Sequence, residues 1–269
     1  MPVDVRADVV ANTRLSSDYN VIGLAAPAIA EAAQPGQFVM VKASAGHDPL
    51  LRRPFSVFEI LRDDRQRPIG ISLLNKRIGA STNRLYDARP GQHIACLGPL
   101  GRPFTPVEPP VEAWMVAGGV GLAPFATLAE SLAARGTRMT LFYGARRSAE
   151  LFYLDTFERL GARLVLTTED GSRGEQGRIV VPLKRELASQ PPGATVMVYA
   201  CGPEGMLAAT AKVAAQAGQP CQVSVERIMG CGLGGCYSCV VPMREDDGVH
   251  HVRSCLAGPV LAGDRIVWD

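Results

Sequence analysis

The sequence predicts an N-terminal antiparallel β-barrel, a doubly wound parallel α/β domain and a small C-terminal loop domain rich in cysteine. Three observations predict this order. Residues 1–105 carry short Val-, Ile- and Phe-rich segments between turn residues, and residues 106–225 alternate apolar strands with helical spacing. Residues 226–269 hold four of the chain's seven cysteines, all within 25 positions.

The barrel rests on strands expected at residues 3–10, 37–41, 55–60, 69–74 and 93–97. Gln34-Pro35-Gly36, Asp63-Asp64, Arg89-Pro90-Gly91 and Gly98-Pro99 break the run. Short strands at roughly 8–12-residue spacing suggest a small antiparallel barrel. Residues 101–110 are Pro-rich and read as a linker. Beyond them, strands are expected at 113–117, 139–143, 163–167, 195–200 and 222–225. Helices are expected at 122–135, 154–160, 181–188 and 204–217. Strands alternating with helices imply a parallel sheet. From Glu226 onward the hydrophobic pattern is too thin for an independent core, which a bound metal cluster would organise.

With 269 residues, 47% of them hydrophobic, the chain can bury a core of about two domains. A net charge of +2 and no basic run argue against nucleic acid or an anionic membrane as partner. Gly, Pro or charge interrupts every apolar stretch well before the length of about 18 residues that a membrane helix needs. The N-terminus, Met-Pro-Val-Asp-Val-Arg, lacks the basic and apolar regions of a signal peptide, so a cytoplasmic location is expected. Disulfides are disfavoured there, and clustered thiols suggest a metal centre.

The cluster reads Cys231-x4-Cys236-x2-Cys239, then fifteen residues, then Cys255. This is the plant-type [2Fe–2S] spacing. A single loop must bring three thiolates together. The glycines at 230, 232, 234 and 235 permit the positive φ and close approach that this requires, and leave backbone N–H groups to bond the sulfurs. A hairpin of residues 240–244 and 249–253 about Glu245-Asp246-Asp247-Gly248 returns the fourth cysteine. The alternative is a four-cysteine structural zinc site, which usually pairs two short C-x2-C units where this chain has one. His250 and His251 do not supply the Cys-x-His pairing of a Rieske centre.

Two further motifs accompany the cluster. Arg52-Arg53-Pro54-Phe55-Ser56 opens a barrel strand, where a guanidinium can neutralise pyrophosphate and a Ser hydroxyl can meet a flavin edge. A solvated turn is the other reading. Ala117-Gly118-Gly119-Val120-Gly121-Leu122-Ala123-Pro124 follows an apolar strand and precedes a helix, and Cys201-Gly202-Pro203 is the matching turn after a later strand. Glycines at strand C-terminal ends let a nucleotide lie against the backbone. The spacing departs from G-x-G-x-x-G, and a tight structural turn is the alternative.

Over nearly its whole length the chain resembles the ferredoxin–NADP reductase superfamily. More closely, it looks like the electron-transfer subunits of class B dihydroorotate dehydrogenases. The markers are Arg53-Pro54-Phe55-Ser56, the 118–124 glycine turn, Cys201-Gly202-Pro203-Glu204-Gly205-Met206, and Glu226-Arg227-Ile228-Met229 leading into the cysteine loop. The resemblance implies a flavin-binding barrel at 1–105, an NAD-binding domain at 106–225 and a [2Fe–2S] domain at 226–269. It implies that Arg53, Pro54, Phe55 and Ser56 contact FAD, that Leu74, Asn75 and Lys76 meet its ribityl or isoalloxazine region, and that Ser81 and Thr82 meet its pyrophosphate. Gly118, Gly119, Gly121, Pro124, Cys201, Gly202 and Pro203 would take NAD. The family usually has an aromatic, Arg and Gly where this chain has Asn75, Lys76 and Ser81. The implied activity is an electron relay among NAD(H), FAD, the cluster and a separate FMN-bearing dihydroorotate dehydrogenase subunit in pyrimidine biosynthesis, two copies of each. The same architecture could serve a hydrogenase or a bifurcating transhydrogenase. A redox sensor or zinc-stabilised binding module is the reading from another class.

Other residues carry paired readings. Cys201 is either beside the nicotinamide or a core thiol, and Cys96 and Cys221 read as core. Glu226 either faces the flavin or is a surface carboxylate, alone or in an ion pair with Arg227. Arg146 and Arg147 either meet a 2′-phosphate or are solvated. His47 and His93 read as loop or strand-edge residues without a catalytic role.

Overall fold

The computed structural model describes residues 1–44, 46 and 48–268, so the expectation for His47 lies outside the described residues. The first part is a seven-stranded antiparallel sheet curled into a half-barrel. It comprises β1 (Val3–Arg14), β2 (Tyr19–Ala25), helix α1 (Pro27–Ala32), β3 (Phe38–Lys42), β4 (Arg53–Ser56), β5 (Glu59–Arg62), β6 (Pro68–Lys76), helix α2 (Ala80–Asp87) and β7 (His93–Leu100). The strand order is β4-β3-β7-β1-β2-β6-β5. Ile22, Leu24, Val39, Ile71, Leu73 and Leu85 are among the residues that fill its core.

The expected strand over 55–60 divides in two. The amide of Val57 bonds the Gln37 carbonyl at 3.0 Å, beside β3, and that of Phe58 bonds the Ser72 carbonyl at 2.9 Å, in β6. Two consecutive amides therefore reach opposite edges of the sheet and draw the curl together. Strand β2 escaped the sequence reading because six of its seven residues are buried, so no alternation marks it. Helix α2 escaped because its first turn, Ala80-Ser81-Thr82-Asn83, is polar and reads as loop. Gly98-Pro99, read as a break, lies within β7.

A parallel sheet follows. Its elements are β8 (Glu112–Gly118), a 3-10 turn (Gly119–Leu122), α3 (Phe125–Ala134), β9 (Met139–Ala145), α4 (Leu154–Arg159), β10 (Ala162–Thr168), β11 (Glu175–Gln176), α5 (Val180–Ala188), β12 (Val196–Cys201), α6 (Glu204–Gln216) and β13 (Cys221–Ser224). The C-terminal segment adds β14 (Val240–Glu245), β15 (Gly248–Arg253), α7 (Ser254–Ala257) and β16 (Val260–Ala262). The sheet order is β11-β10-β9-β8-β12-β13-β16, so β13 is not its last strand: β16 pairs beside it, antiparallel. The thin C-terminal segment is held by both neighbours. Val241, Met243 and Ile266 enter the core of the parallel sheet, while Met229, Cys239 and Cys255 pack with Phe38, Met40 and Leu100 of the first sheet.

The two sheets share one buried cluster, in which Val21, Phe58 and Leu74 meet Leu122, Ala123 and Phe125. Aromatic contacts reinforce the seam: Phe58 meets Tyr153 edge-on at 4.7 Å between centroids, and Tyr19 meets Phe152 at 5.0 Å. Such pairs contribute beyond the area they bury. Among the described residues no helix is long and apolar enough to cross a membrane.

Candidate redox site

The cysteine loop brings its four thiols together, with Cys231 also acting on the Cys255 thiol across the loop. The Cys231 and Cys236 side chains interact with each other, as do Cys239 and Cys255. Among the described residues no three of these sulfurs lie within 4.8 Å of one another. Two pairs fit two metal ions with two thiolates each, as a [2Fe–2S] cluster requires. The loop also supplies N–H donors: the amides of Leu233 and Gly235 both lie 3.3 Å from Cys231 Sγ. The pairs differ in setting. Cys236 is exposed, and hydrogen bonds from Ser238, then Cys231, bring its thiol down to about 6. Cys255 is buried, and desolvation, then the neighbouring Cys239, pushes it up to about 12.

Glycine is required where this loop meets the barrel. Gly232 has φ +72°, and a Cβ there would stand 2.5 Å from Met40 Cγ. Arg253 braces the other side, donating to the Gly234 carbonyl at 2.7 Å with its guanidinium 4.6 Å from the Tyr237 ring centre. Ile228, Leu233, Tyr237 and Leu256 are exposed around the loop. Leu233 and Leu256 also line a groove of about 480 Å³ with Met1, Ala32, Leu100 and Cys255.

The two glycine turns meet at one place. Strands β8 and β12 are neighbours with Ala117 opposite Cys201, and the chain continues to opposite sides of the sheet from them. This is the switch point where open α/β sheets bind ligands. A Cβ on Gly121 would lie 2.2 Å from the Cys201 carbonyl oxygen, and one on Gly118 2.9 Å from Pro203 Cδ. Gly119 has φ +54° and faces open space, and Pro124 caps α3. Gly202 closes the second turn against Gly118. The Cys201 thiol turns inward, interacts with Ser224 and is pushed up to about 12 by burial. The turn therefore presents the backbone of Cys201 and not its sulfur. Cys96 and Cys221 are buried thiols, likewise raised to about 12.

Arg146 and Arg147 both bind Glu150, at 2.9 and 3.3 Å, and the Glu150 side chain is only 5% exposed. Neither arginine is simply solvated. The Tyr143 hydroxyl lies 3.1 Å from the Glu150 carbonyl and 3.3 Å from that of Gly119, tying this turn to the glycine loop. Glu226 is exposed, and Arg227 makes a bidentate pair with Glu204, both contacts at 2.9 Å. The Arg227–Glu204 pair was invisible to sequence reasoning because its members lie 23 positions apart, on separate turns.

In the first sheet, Arg53, Pro54, Phe55 and Ser56 form edge strand β4. Arg52 is occupied by a bidentate pair with Asp4, whereas exposed Arg53 donates to the Arg52 carbonyl at 3.1 Å. Leu74 and Lys76 share one face of β6: Leu74 packs at the seam with the second sheet, and the Lys76 ammonium sits 5.3 Å from the Tyr19 ring centre. Asn75 points the other way, toward α2. Ser81 and Thr82 occupy the first turn of α2, where Thr82 Oγ1 accepts from the amides of Ile78 and Gly79, each at 2.9 Å. The Tyr19 hydroxyl and Asn75 Oδ1 are buried polar atoms without a protein partner. An exposed guanidinium, a cationic face at the seam and a helix N-terminus fit the phosphates and edge of a dinucleotide flavin.

A curled antiparallel sheet, a parallel nucleotide sheet and a four-thiol loop define an iron–sulfur oxidoreductase of the ferredoxin-reductase type. The fold is shared with the NADH-dependent reduced ferredoxin–NADP oxidoreductase studied for flavin-based electron bifurcation. That likeness has TM-score 0.83 and 27% identity, covering 98% of this chain and 91% of the other. A ferredoxin NADP+ reductase from Neisseria gonorrhoeae, solved with bound FAD and NADP, matches at TM-score 0.66 and 20% identity over 80% of this chain and 92% of its own. Residues 115–212 match the oxidoreductase NAD-binding domain family, and residues 226–267 match the iron–sulfur cluster binding domain of dihydroorotate dehydrogenase B. The electron transfer subunit of dihydroorotate dehydrogenase B (NAD(+)) from Desulforamulus reducens is 37% identical over 91% of this chain and 90% of its own. The same subunit from Geobacillus kaustophilus is 34% identical over 96% of each. The chain belongs to the family of electron transfer subunits of NAD-dependent dihydroorotate dehydrogenase B.

Proposed function

We propose that this chain relays electrons between NAD(H) and a separate dihydroorotate-oxidising subunit through FAD and a [2Fe–2S] cluster. The observation that carries this is the pairing of Cys231 with Cys236 and Cys239 with Cys255 on a loop packed against Met40 of the first sheet. When bound, FAD supplies both hydride exchange with NAD(H) and one-electron exchange with the cluster. Residues 1–105 hold FAD, 106–225 hold NAD(H) and 226–269 hold the cluster, with β16 returned to the second sheet. Arg53 and Ser56 bind the flavin at the edge strand, Lys76 supplies charge at the seam, and the turn of Ser81 and Thr82 takes the pyrophosphate. Gly118, Gly119, Gly121, Pro124 and the 201–203 backbone admit the nicotinamide nucleotide.

The exposed apolar rim of Ile228, Leu233, Tyr237 and Leu256 beside exposed Cys236 supports docking of the partner at the cluster. The partner is an FMN-bearing dihydroorotate dehydrogenase subunit, joined as two copies of each chain in the cytoplasm, with electrons running from dihydroorotate to NAD. A second reading draws on the whole-chain likeness to the bifurcating oxidoreductase: the same relay serving another partner.

Reconstitution tests both. The purified chain is mixed with a dihydroorotate dehydrogenase catalytic subunit, and NADH formation from dihydroorotate is followed. Activity requiring both chains is expected. Oxidation of dihydroorotate by this chain alone, or a colourless zinc-containing protein, would overturn the proposal, and a coloured protein inert with that subunit would favour the second reading.

A further inference from the structure

Three neighbouring strands of the first sheet each aim one asparagine at helix α2. Asn20 in β2 and Asn75 in β6 are direct cross-strand partners, and both are fully buried. Asn75 Nδ2 donates to Asn20 Oδ1 at 2.7 Å and to the Thr82 carbonyl at 3.0 Å. Asn20 Nδ2 continues in the same sense, donating to Asn12 Oδ1 at 2.7 Å and to the Leu85 carbonyl at 3.3 Å. Asn12 in β1 ends the series, with its Nδ2 at 3.2, 3.0 and 2.7 Å from the carbonyls of Leu85, Tyr86 and Ala88.

Every amide in this ladder donates to the backbone of α2. The carbonyls of the last turn have no intrahelical partner, so Asn12 satisfies acceptors that the helix leaves open. Burying carboxamides is costly unless they are bonded, and an apolar layer would cost less. What the ladder adds is a fixed height and rotation of α2 on the sheet. Its Asn75 rung grips the carbonyl of Thr82, whose hydroxyl bonds the amides of Ile78 and Gly79.

We infer that Asn12, Asn20 and Asn75 are positioning residues that set the Gly79–Thr82 turn for a dinucleotide pyrophosphate. The inference rests on the proposal that this turn receives the FAD pyrophosphate. The ladder acts on the phosphate end of FAD alone, because its rungs end on α2 and none faces the seam.

The test uses the full chain carrying its cluster, titrated separately with FAD and with riboflavin by flavin fluorescence, with ³¹P NMR of bound FAD as a second readout. Asn75→Ala removes one rung; Asn20→Asp keeps the shape but removes two donors. Each should weaken FAD about tenfold, roughly one lost buried hydrogen bond, and shift the pyrophosphate resonances. Riboflavin affinity and the cluster's EPR signal should stay unchanged. Asn12→Ala, which removes the rung on the Leu85, Tyr86 and Ala88 carbonyls, should weaken FAD in the same sense but by less, again without changing riboflavin affinity, and serves should Asn20→Asp fail to fold. Unchanged FAD affinity, or equal loss for FAD and riboflavin, would overturn the inference. A wild-type chain that binds FAD no more tightly than riboflavin would instead remove the reading beneath it.

Discussion

Gly121 lies against the carbonyl of Cys201 so closely that a methyl group on it would stand 2.2 Å from that oxygen. The two residues belong to turns that leave neighbouring parallel strands in opposite directions, and their contact is what makes two separate motifs one surface. Gly121→Ala forces these turns apart. It should cost about 2 kcal/mol of stability, in the range for overpacking, and at least a tenfold loss in NADH affinity. Gly119→Ala, facing open space with only its φ to pay for, should cost about 1 kcal/mol and leave the turns together. Thermal unfolding and NADH titration of the two variants measure the contrast; equal effects would mean that the turns do not depend on this contact.

Arg52 and Arg53 are adjacent but differently employed. Arg53→Ala should weaken FAD by about ten- to a hundredfold, the value of a charge-assisted hydrogen bond. Arg52→Ala breaks the exposed pair with Asp4 and should leave FAD affinity within about twofold while costing under about 1 kcal/mol of stability. Flavin fluorescence titration and denaturant unfolding read both. The reverse order would place the pyrophosphate at Arg52.

At the cluster loop, Gly232→Ala meets two obstacles: φ +72° and Met40 Cγ at 2.5 Å. Iron content per chain should fall by about half or more, with FAD retained, since loop strain of order 1–3 kcal/mol opposes cluster assembly. Adding Met40→Ala removes the steric obstacle and should restore part of the iron but not all, because the backbone strain remains. Full restoration would show that φ does not matter there.

Glu59 in β5 and Glu130 on α3 both have pKa values raised chiefly by burial near the seam; Ser72 partly offsets this for Glu59, and Arg62 does so for Glu130. A raised folded-state pKa means that the folded chain holds the proton more tightly than the unfolded one. The resulting stability is complete below the unfolded value of 4.5 and is lost as pH rises through the folded value. Glu59→Gln should therefore be more stable than the wild type at pH 8, by about 1 kcal/mol after discounting for solvent screening, with the gap gone near pH 4. Melting curves at the two pH values decide this, and a gap that does not change with pH would exclude the carboxylate as its source.

Local chemistry was legible in the chain. The spacing of Cys231, Cys236, Cys239 and Cys255, the glycines about them and the glycine turn at 118–121 are written in contiguous residues, because one loop must satisfy their demands by itself. The alternation of strand and helix over the second half was legible too, since each element there is periodic or apolar on its own. Strand β2, buried on both faces, and polar helix α2 carry no such mark.

The sequence by itself thus determined the fold class, the cluster spacing and the positions of the two glycine turns. Only the tertiary structure decided how the four thiols pair, that Gly121 rests on Cys201, that Val57 and Phe58 reach opposite sheet edges, and that three asparagines share one helix. Each of these depends on contacts between residues far apart in the chain. Asn12 and Ala88, 76 positions apart, meet only once the sheet curls. Periodicity records which way a side chain faces, and the packing of whole elements settles what it finds there.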